Sequence, residues 1–502
     1  MPDYSLSGIQ PERRPPAEVG VGDPRSKWSS QRAAAGARWL RQADTPVLRS
    51  GAALLLGAGL TAALGLPYWI LAARSYSTAE VGATAALLST MFFVSAVTQL
   101  GLSGVLVRLL PVTGGHVRRV LVIAYAATTL AGAVAATVVV VTVQFWSPKL
   151  SHELRDPVRA VVFVAGTVVW NVFVIQDSVL AGLRRAPWVP VENVSYSVAK
   201  IVLLVLFARV GWSLGIFGSW VIPAGVAVVV VTALLFSRVL PGRGADQRDH
   251  TVELPSLRRA VGLSLGNQIG FLAFMGSSSL MPVLIFNRVG AKATATFYAA
   301  WMIAVVLPLV AQSFSMSLTV EGATPDADTR RLLREAVIGI YSILLPVVAV
   351  IVAAAPWLLR LFGNSYSKDG ATVLRLLAVA AIPNVVVGVS LSVARIRDTV
   401  AIIAAGQSFI AVVTIVVMVL LLRPLGIAAG GIAWLVGQVV GAAVLWRVVI
   451  CRELDDDRRS AGLPDAATVP YDGAIPRPDP PGPCARRART SARERHTSRE
   501  AR

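Results

Sequence analysis

Residues 51–73 read GAALLLGAGLTAALGLPYWILAA, a run without one charged side chain that stops at Arg74. The hydrocarbon core of a bilayer is about 30 Å thick, and about 20 apolar residues in helical conformation cross it. The run is therefore a transmembrane helix, and eleven stretches of the same kind follow. They lie near 83–107, 118–143, 158–181, 188–208, 213–239, 261–286, 293–318, 334–360, 371–393, 398–422 and 426–449. Pro111, Pro148, Pro187, Pro241-Gly242, Pro325 and Pro424 punctuate the joins. The fold expected is an all-α polytopic membrane protein of about twelve transmembrane helices, and no gap between spans is long enough for a soluble domain.

Composition agrees with lipid as the main solvent. Of the 502 residues, 55% are hydrophobic and only 15% are charged, where a soluble chain carries roughly 25% charged residues. The charges are segregated: of 47 Lys and Arg, eight fall in residues 1–50 and eleven in 452–502. The formal charge of +19 raises the question of nucleic acid, yet the apolar part holds no basic patch interleaved with aromatics. Basic tails beside a membrane explain the charge instead. Four scattered His and two Cys, Cys451 and Cys484, supply neither a disulfide framework nor a metal cluster. No metal and no cofactor is expected.

Domain limits follow from these shifts in composition. Residues 1–48 read as a disordered basic tail, 49–240 as a first bundle of six helices and 241–260 as a linker. Residues 261–450 form a second six-helix bundle, and 451–502 a second disordered basic tail. With the N-terminus cytoplasmic, the loops on that side carry fifteen basic residues and the opposite loops eleven. The nineteen of the tails join the fifteen, so both termini are expected in the cytoplasm of a cell whose plasma membrane the chain spans. The halves also look alike. Pro67 precedes Arg74 by seven residues, Pro282 precedes Arg288 by six, and each Arg leads through a short polar connection into another apolar span. Six helices is an even number, so such halves are parallel repeats about an axis along the membrane normal.

Several short motifs point to one family. Leu71-Ala-Ala-Arg74-Ser-Tyr-Ser-Thr-Ala-Glu80-Val-Gly82 closes the first span and opens the second. It resembles the start of the polysaccharide-biosynthesis (Wzx-like) flippases of the multidrug/oligosaccharidyl-lipid/polysaccharide (MOP) exporter superfamily. Gln99-Leu-Gly-Leu102 with Arg108-Leu-Leu-Pro111 is similar to their second-helix ending, and Leu180-Ala-Gly-Leu-Arg184-Arg185 to their connection between the fourth and fifth helices. The resemblance covers about residues 50–450, and the long tails depart from it. It implies a MATE-like fold, two six-helix bundles around a cavity that opens to each side in turn. It also implies a polyprenyl-diphosphate-linked saccharide as substrate, and glycosyltransferases and a polysaccharide polymerase as functional partners beside membrane lipid.

Charge inside the hydrocarbon layer is expensive and marks candidate function. Asp177 lies in the fourth span, and Glu192 and Lys200 in the fifth, with Lys200 nearest mid-depth. Glu192, Tyr196 and Lys200 follow at i, i+4 and i+8, one polar stripe that should face the protein interior. Glu192 and Lys200 are two turns apart, about 12 Å along the axis, too far for an ion pair. Lys200 suits a phosphate or diphosphate as a compact point charge; the plain alternative is a snorkelling or structurally paired lysine. Asp177 and Glu192 read first as a network with Arg184 and Arg185 at the mouth. Arg74 and Arg288, at matching places in the halves, are candidates for outer phosphate contacts. Asn267 and Gln268 are candidates for cavity lining, although most polar residues in spans bond between helices. Gly262, Gly266 and Gly270, and Gly437 and Gly441, read as close helix contacts.

No phosphate-cradling loop of the P-loop type is present, and Asp455-Asp456-Asp457 lies in the charged tail. The chain is therefore expected to be a transporter and no enzyme. Its competing readings are a cation-coupled drug exporter of the same fold and a membrane-embedded glycosyl- or acyltransferase. Such exporters use an acid in the first helix, and 51–73 contains none. The transferase lacks an acidic loop or His at the membrane surface.

Overall fold

In the computed structural model, the residues described are 46–99, 101–111, 113–241, 254–308, 329–397 and 399–451. Both tails and part of the linker thus lie outside the described residues, as does the end of the eighth expected span. Fourteen α-helices cover the described chain. The first half holds α1 Pro46–Ser75, α2 Thr78–Gln99, α3 Leu102–Leu109, α4 Val117–Trp146, α5 Pro148–Leu154, α6 Pro157–Gly182, α7 Trp188–Val210 and α8 Gly215–Leu234. The second holds α9 Leu254–Arg288, α10 Ala291–Ala304, α11 Thr329–Arg360, α12 Asn364–Ile396, α13 Val400–Leu425 and α14 Ala428–Leu445. Ten of them are long and apolar enough to cross a membrane. α1 and α10 stand at the first and eighth expected spans. The chain is a multi-pass membrane protein.

Several boundaries differ from the sequence expectation: α1 starts at Pro46 inside the expected tail, α12 starts at Asn364 rather than 371, and two further differences bear on the organisation. The second span was expected to run to 107, but α2 stops at Gln99 and Gly101 turns left-handed at φ 76° to start the separate helix α3. The run stays apolar across the break, so hydropathy alone passes over it, and a glycine without Cβ strain makes the turn. The linker was expected to reach 260, but α9 already begins at Leu254.

Local signals set the other ends. Ser77 and Glu80 form a reciprocal cap at the start of α2: Glu80 Oε2 accepts from the Ser77 amide at 2.9 Å, and Ser77 Oγ accepts from the Glu80 amide at 3.2 Å. Two otherwise unpaired backbone donors are satisfied this way. Pro157 starts α6 behind Asp156, whose carboxylate accepts from Val158 N.

The packing repeats between halves. α1 lies against α7, α2 and α4 against α6, and α8 against α6 and α7; correspondingly α9 lies against α13, α10 and α11 against α12, and α14 against α12 and α13. α8 and α14 each pass into a π-helical turn, Leu235–Val239 and Trp446–Cys451. Leu-Gly-Ile stands at the start of each, at 214–216 where α8 begins and at 425–427 just before α14, a repeat signal beyond the paired Pro and Arg. The halves meet through α2, which packs on α9 and α10. Gly82 allows this approach, because a Cβ there would collide with the Ala291 backbone. The glycines of α14 act likewise: Gly437 and Gly441 sit on Thr414 and Ile410 of α13. Gly270 faces Ile403 and Gln407, while the side-chain surroundings of positions 262 and 266 lie outside the described residues.

Candidate functional site

The polar stripe of α7 faces inward, with Glu192, Tyr196, Ser197 and Lys200 all buried. Lys200 is 5% exposed, and aromatic faces surround its ammonium. Nζ lies 3.9 Å from the ring centre of Trp220 on α8, 4.6 Å from Tyr68 on α1 and 5.3 Å from Tyr196 on its own helix. Among the described residues no carboxylate pairs with it. Taking an ammonium out of water costs several kcal/mol even after relaxation, and a desolvated cation–π contact returns about 2 kcal/mol. Three such faces are of the right size to hold the charge without an anion.

The cage is rigid because its members are themselves fixed. Tyr68 Oη donates to the Ile216 carbonyl at 3.1 Å and shares a hydrogen bond of 2.8 Å with Ser219 Oγ. Trp170 and Phe92 pack on Trp220 with centroids 5.6 and 5.3 Å away. Trp69 extends the cluster to Tyr298 of α10 at 4.7 Å, so the aromatic layer crosses into the second half. Two polar atoms of the cage, Trp220 Nε1 and Tyr196 Oη, are buried without a hydrogen-bond partner. Aligning the two Leu-Gly-Ile segments puts Ala411 at the place of Lys200 and Gly431 at that of Trp220. Among the described residues the second half has no such cation.

The two acids are arranged differently from the expected mouth network. Asn193 Nδ2 donates to Asp177 at 3.2 Å, joining α6 to α7. Glu192 is 7% exposed, and neither carboxylate oxygen has a partner. Arg185 instead lies over the Trp188 ring at 5.8 Å, and Arg184 takes a left-handed backbone at φ 57°. An arginine on the surface keeps its hydration, which explains why neither reaches into the bundle.

The remaining candidates are dispersed. Arg74 is six residues beyond Tyr68, about 9 Å along α1, and its Nε donates to the Leu361 carbonyl at 2.7 Å. Arg288 is exposed at the end of α9. Gln268 donates to the Ala96 carbonyl at 3.0 Å, a bond between halves; the side chain of Asn267 lies outside the described residues. Two other intramembrane amides also bond between helices, Asn171 to Thr98 and Gln176 to Val228 and Thr232.

Missed in the sequence were Tyr68, Trp69, Phe92, Trp170, Trp220 and Tyr298. One signal was present. Trp and Tyr usually gather at the membrane surface, and Trp170 stands in mid-span.

Several solved structures of transporters superpose on this chain. A multidrug-resistance MATE-family transporter of the MOP superfamily in an inward-facing conformation superposes with a TM-score of 0.62 at 15% identity, over 80% of this chain and 96% of that one. An outward-facing conformation of a multidrug-resistance MATE-family transporter of the MOP superfamily gives 0.53 at 16% identity, over 81% and 95%. The lipid II flippase MurJ in an inward closed conformation gives 0.61 at 11% identity, over 78% and 86%. No family model and no curated protein matches the sequence. The chain therefore has the fold of the MATE and MurJ transporters.

Proposed function

We propose that the chain is a flippase that carries a polyprenyl-diphosphate-linked saccharide across the plasma membrane for cell-surface polysaccharide synthesis. The observation that carries this reading is the Lys200 cage: a buried cation paired with no carboxylate among the described residues, beside two unpartnered donors, Trp220 Nε1 and Tyr196 Oη. A buried cation with unpartnered donors on the residues around it is the chemistry of an anion site. A diphosphate offers charge-assisted hydrogen bonds stronger than the ring contacts it replaces. The saccharide would travel between the halves while the prenyl chain stays in lipid.

A cation-coupled drug exporter is disfavoured by α1, which has no acidic residue from Pro46 to Ser75. A cationic drug would also meet Lys200 as a like charge. In this reading both termini are cytoplasmic, and glycosyltransferases and a polymerase act before and after transport. Arg74 and Arg288, at matching places in the halves, would meet the phosphates on the outer side.

The test is reconstitution. Vesicles containing the protein should move a fluorescent polyprenyl-diphosphate disaccharide between leaflets, and should not accumulate a cationic dye under an ion gradient. Dye transport without lipid movement would reverse the assignment.

A further inference from the structure

Basic residues beside membrane spans are kept mostly on the cytoplasmic side, yet the end of the bundle away from both tails is strongly basic too. Its connections hold eleven Lys and Arg against four acids, an excess of seven. Three of those acids are already engaged: Glu80 caps α2, Asp156 caps α6 and Glu153 pairs with Arg159. Of the four, only Asp369 is left to offset the other cations.

Five of these cations gather where the halves meet. Arg74 closes α1, and its bond to the Leu361 carbonyl places it beside Arg360 at the end of α11. Lys149 of α5 reaches the turn between α9 and α10, its Nζ 3.8 Å from where a Cβ of Gly290 would stand. Arg288 and Lys292 flank that glycine two residues to either side. Gly82 of α2, pressed on Ala291, draws the α1–α2 and α9–α10 connections together. All five cations are exposed, and among the described residues none pairs with a carboxylate. Two come from the first half and three from the second, so these like charges stand together only while this end is closed.

Each exposed cation stays hydrated and offers a single anion little, so a ligand gains from this surface by meeting several at once. A phospholipid headgroup brings one phosphate and stops at the rim of the protein. A chain with an acid on each repeat can run along the seam and meet cations of both halves. It binds more tightly while they stand together, and therefore shifts the halves toward the closed arrangement of this end.

We propose that this basic seam binds an acidic polysaccharide, which bridges the halves and holds this end closed. The choice of a saccharide among polyanions rests on the flippase reading above, in which this end faces outward and the delivered saccharide is polymerised outside. A product that accumulates there thereby slows its own supply.

The test uses the full-length protein in phosphatidylcholine nanodiscs with polygalacturonate, a polymer of uronic acid, and dextran as the neutral control. Polygalacturonate should bind and dextran should not. Lys149→Gln, Lys292→Gln and Arg360→Gln in one protein should weaken binding about a hundredfold at low salt, two decades for three charges. Replacing three tail residues instead, Arg486, Arg487 and Arg489 by Gln, should leave the affinity nearly unchanged. Equal losses in the two variants assign the binding to bulk charge and overturn the proposal. A second measurement removes no charge from the seam. Spin labels at Val158 and Thr372, with Cys451 and Cys484 replaced by Ser, report the opening of this end. Polygalacturonate should lower the ratio of long to short distances about tenfold. No change on adding the polymer, or the same change with phosphatidylglycerol and no polymer, overturns the bridge. Neither measurement involves transport, so their failure leaves the flippase standing. A protein that binds polygalacturonate at the seam yet moves no lipid-linked saccharide defeats the flippase and keeps the site.

Discussion

Arg74 Nε, in the last turn of α1, donates to the carbonyl oxygen of Leu361 just past α11 at 2.7 Å. The bond joins the two halves at the end where α1, α9 and α11 finish. Arg288, its partner in the repeat, is exposed at the end of α9. One arginine of the pair therefore bridges the halves and the other does not.

Arg74→Ala should favour separation at this end. Spin labels placed at Arg155 and Lys368, in protein with Cys451 and Cys484 replaced by Ser, would report it as a longer distance population. Arg288→Ala should leave the distribution as in wild type. Equal responses of the two variants would remove the distinction between them.

Gly82 gives a sharper steric test. Alanine is favoured over glycine inside a helix by about 1 kcal/mol, so Gly82→Ala should stabilise an unconstrained α2. Here a Cβ meets the backbone of Ala291, which cannot turn aside. The variant should therefore show the same separation as Arg74→Ala despite its better helix propensity. A higher melting temperature with unchanged distances would show that the halves yield easily.

Lys200 should separate stability from activity. Replacing a buried charge by an apolar side chain of similar volume is often neutral or stabilising, by about 1–4 kcal/mol. Lys200→Met should therefore melt no lower than wild type and yet lose transport, read as lipid-linked saccharide export in a strain lacking its own copy. Lys200→Arg keeps the charge but changes its geometry and should retain part of the activity. Full export by Lys200→Met would assign the lysine to packing.

The two acids are predicted to differ. Glu192 has no partner to lose, so Glu192→Gln should keep or raise the melting temperature. Asp177→Ala leaves the Asn193 amide unpaired and should lower stability by about 1–3 kcal/mol. Thermal unfolding in detergent measures both, and the opposite order would mean that Glu192 is held as a carboxylate.

The helices were legible because each must carry some twenty apolar residues through lipid, a condition one segment meets or fails alone. The inward face of α7 was legible for a similar reason, since Glu192, Tyr196 and Lys200 share a helical spacing. The cage was not. Tyr68 and Trp220 are 152 positions apart in the sequence, and only the packing of α1 and α8 against α7 brings their rings to one ammonium. The break at Gly101 was hidden because the residues on both sides are equally apolar. The expected pairing of the acids with Arg184 and Arg185 failed because depth along two helices says nothing about where a long, hydrated side chain turns.

The repeat is unequal where it matters most, with Ala411 standing in the second half where the first has Lys200. In the flippase proposed above, a passenger gripped by one wall alone would ride with that wall. Its headgroup would stay fixed in the frame of α1, α7 and α8 throughout the stroke, and the second half would slide past it as a smooth shutter. Division of labour of this kind would let a duplicated fold keep two similar frames while only one of them held the cargo.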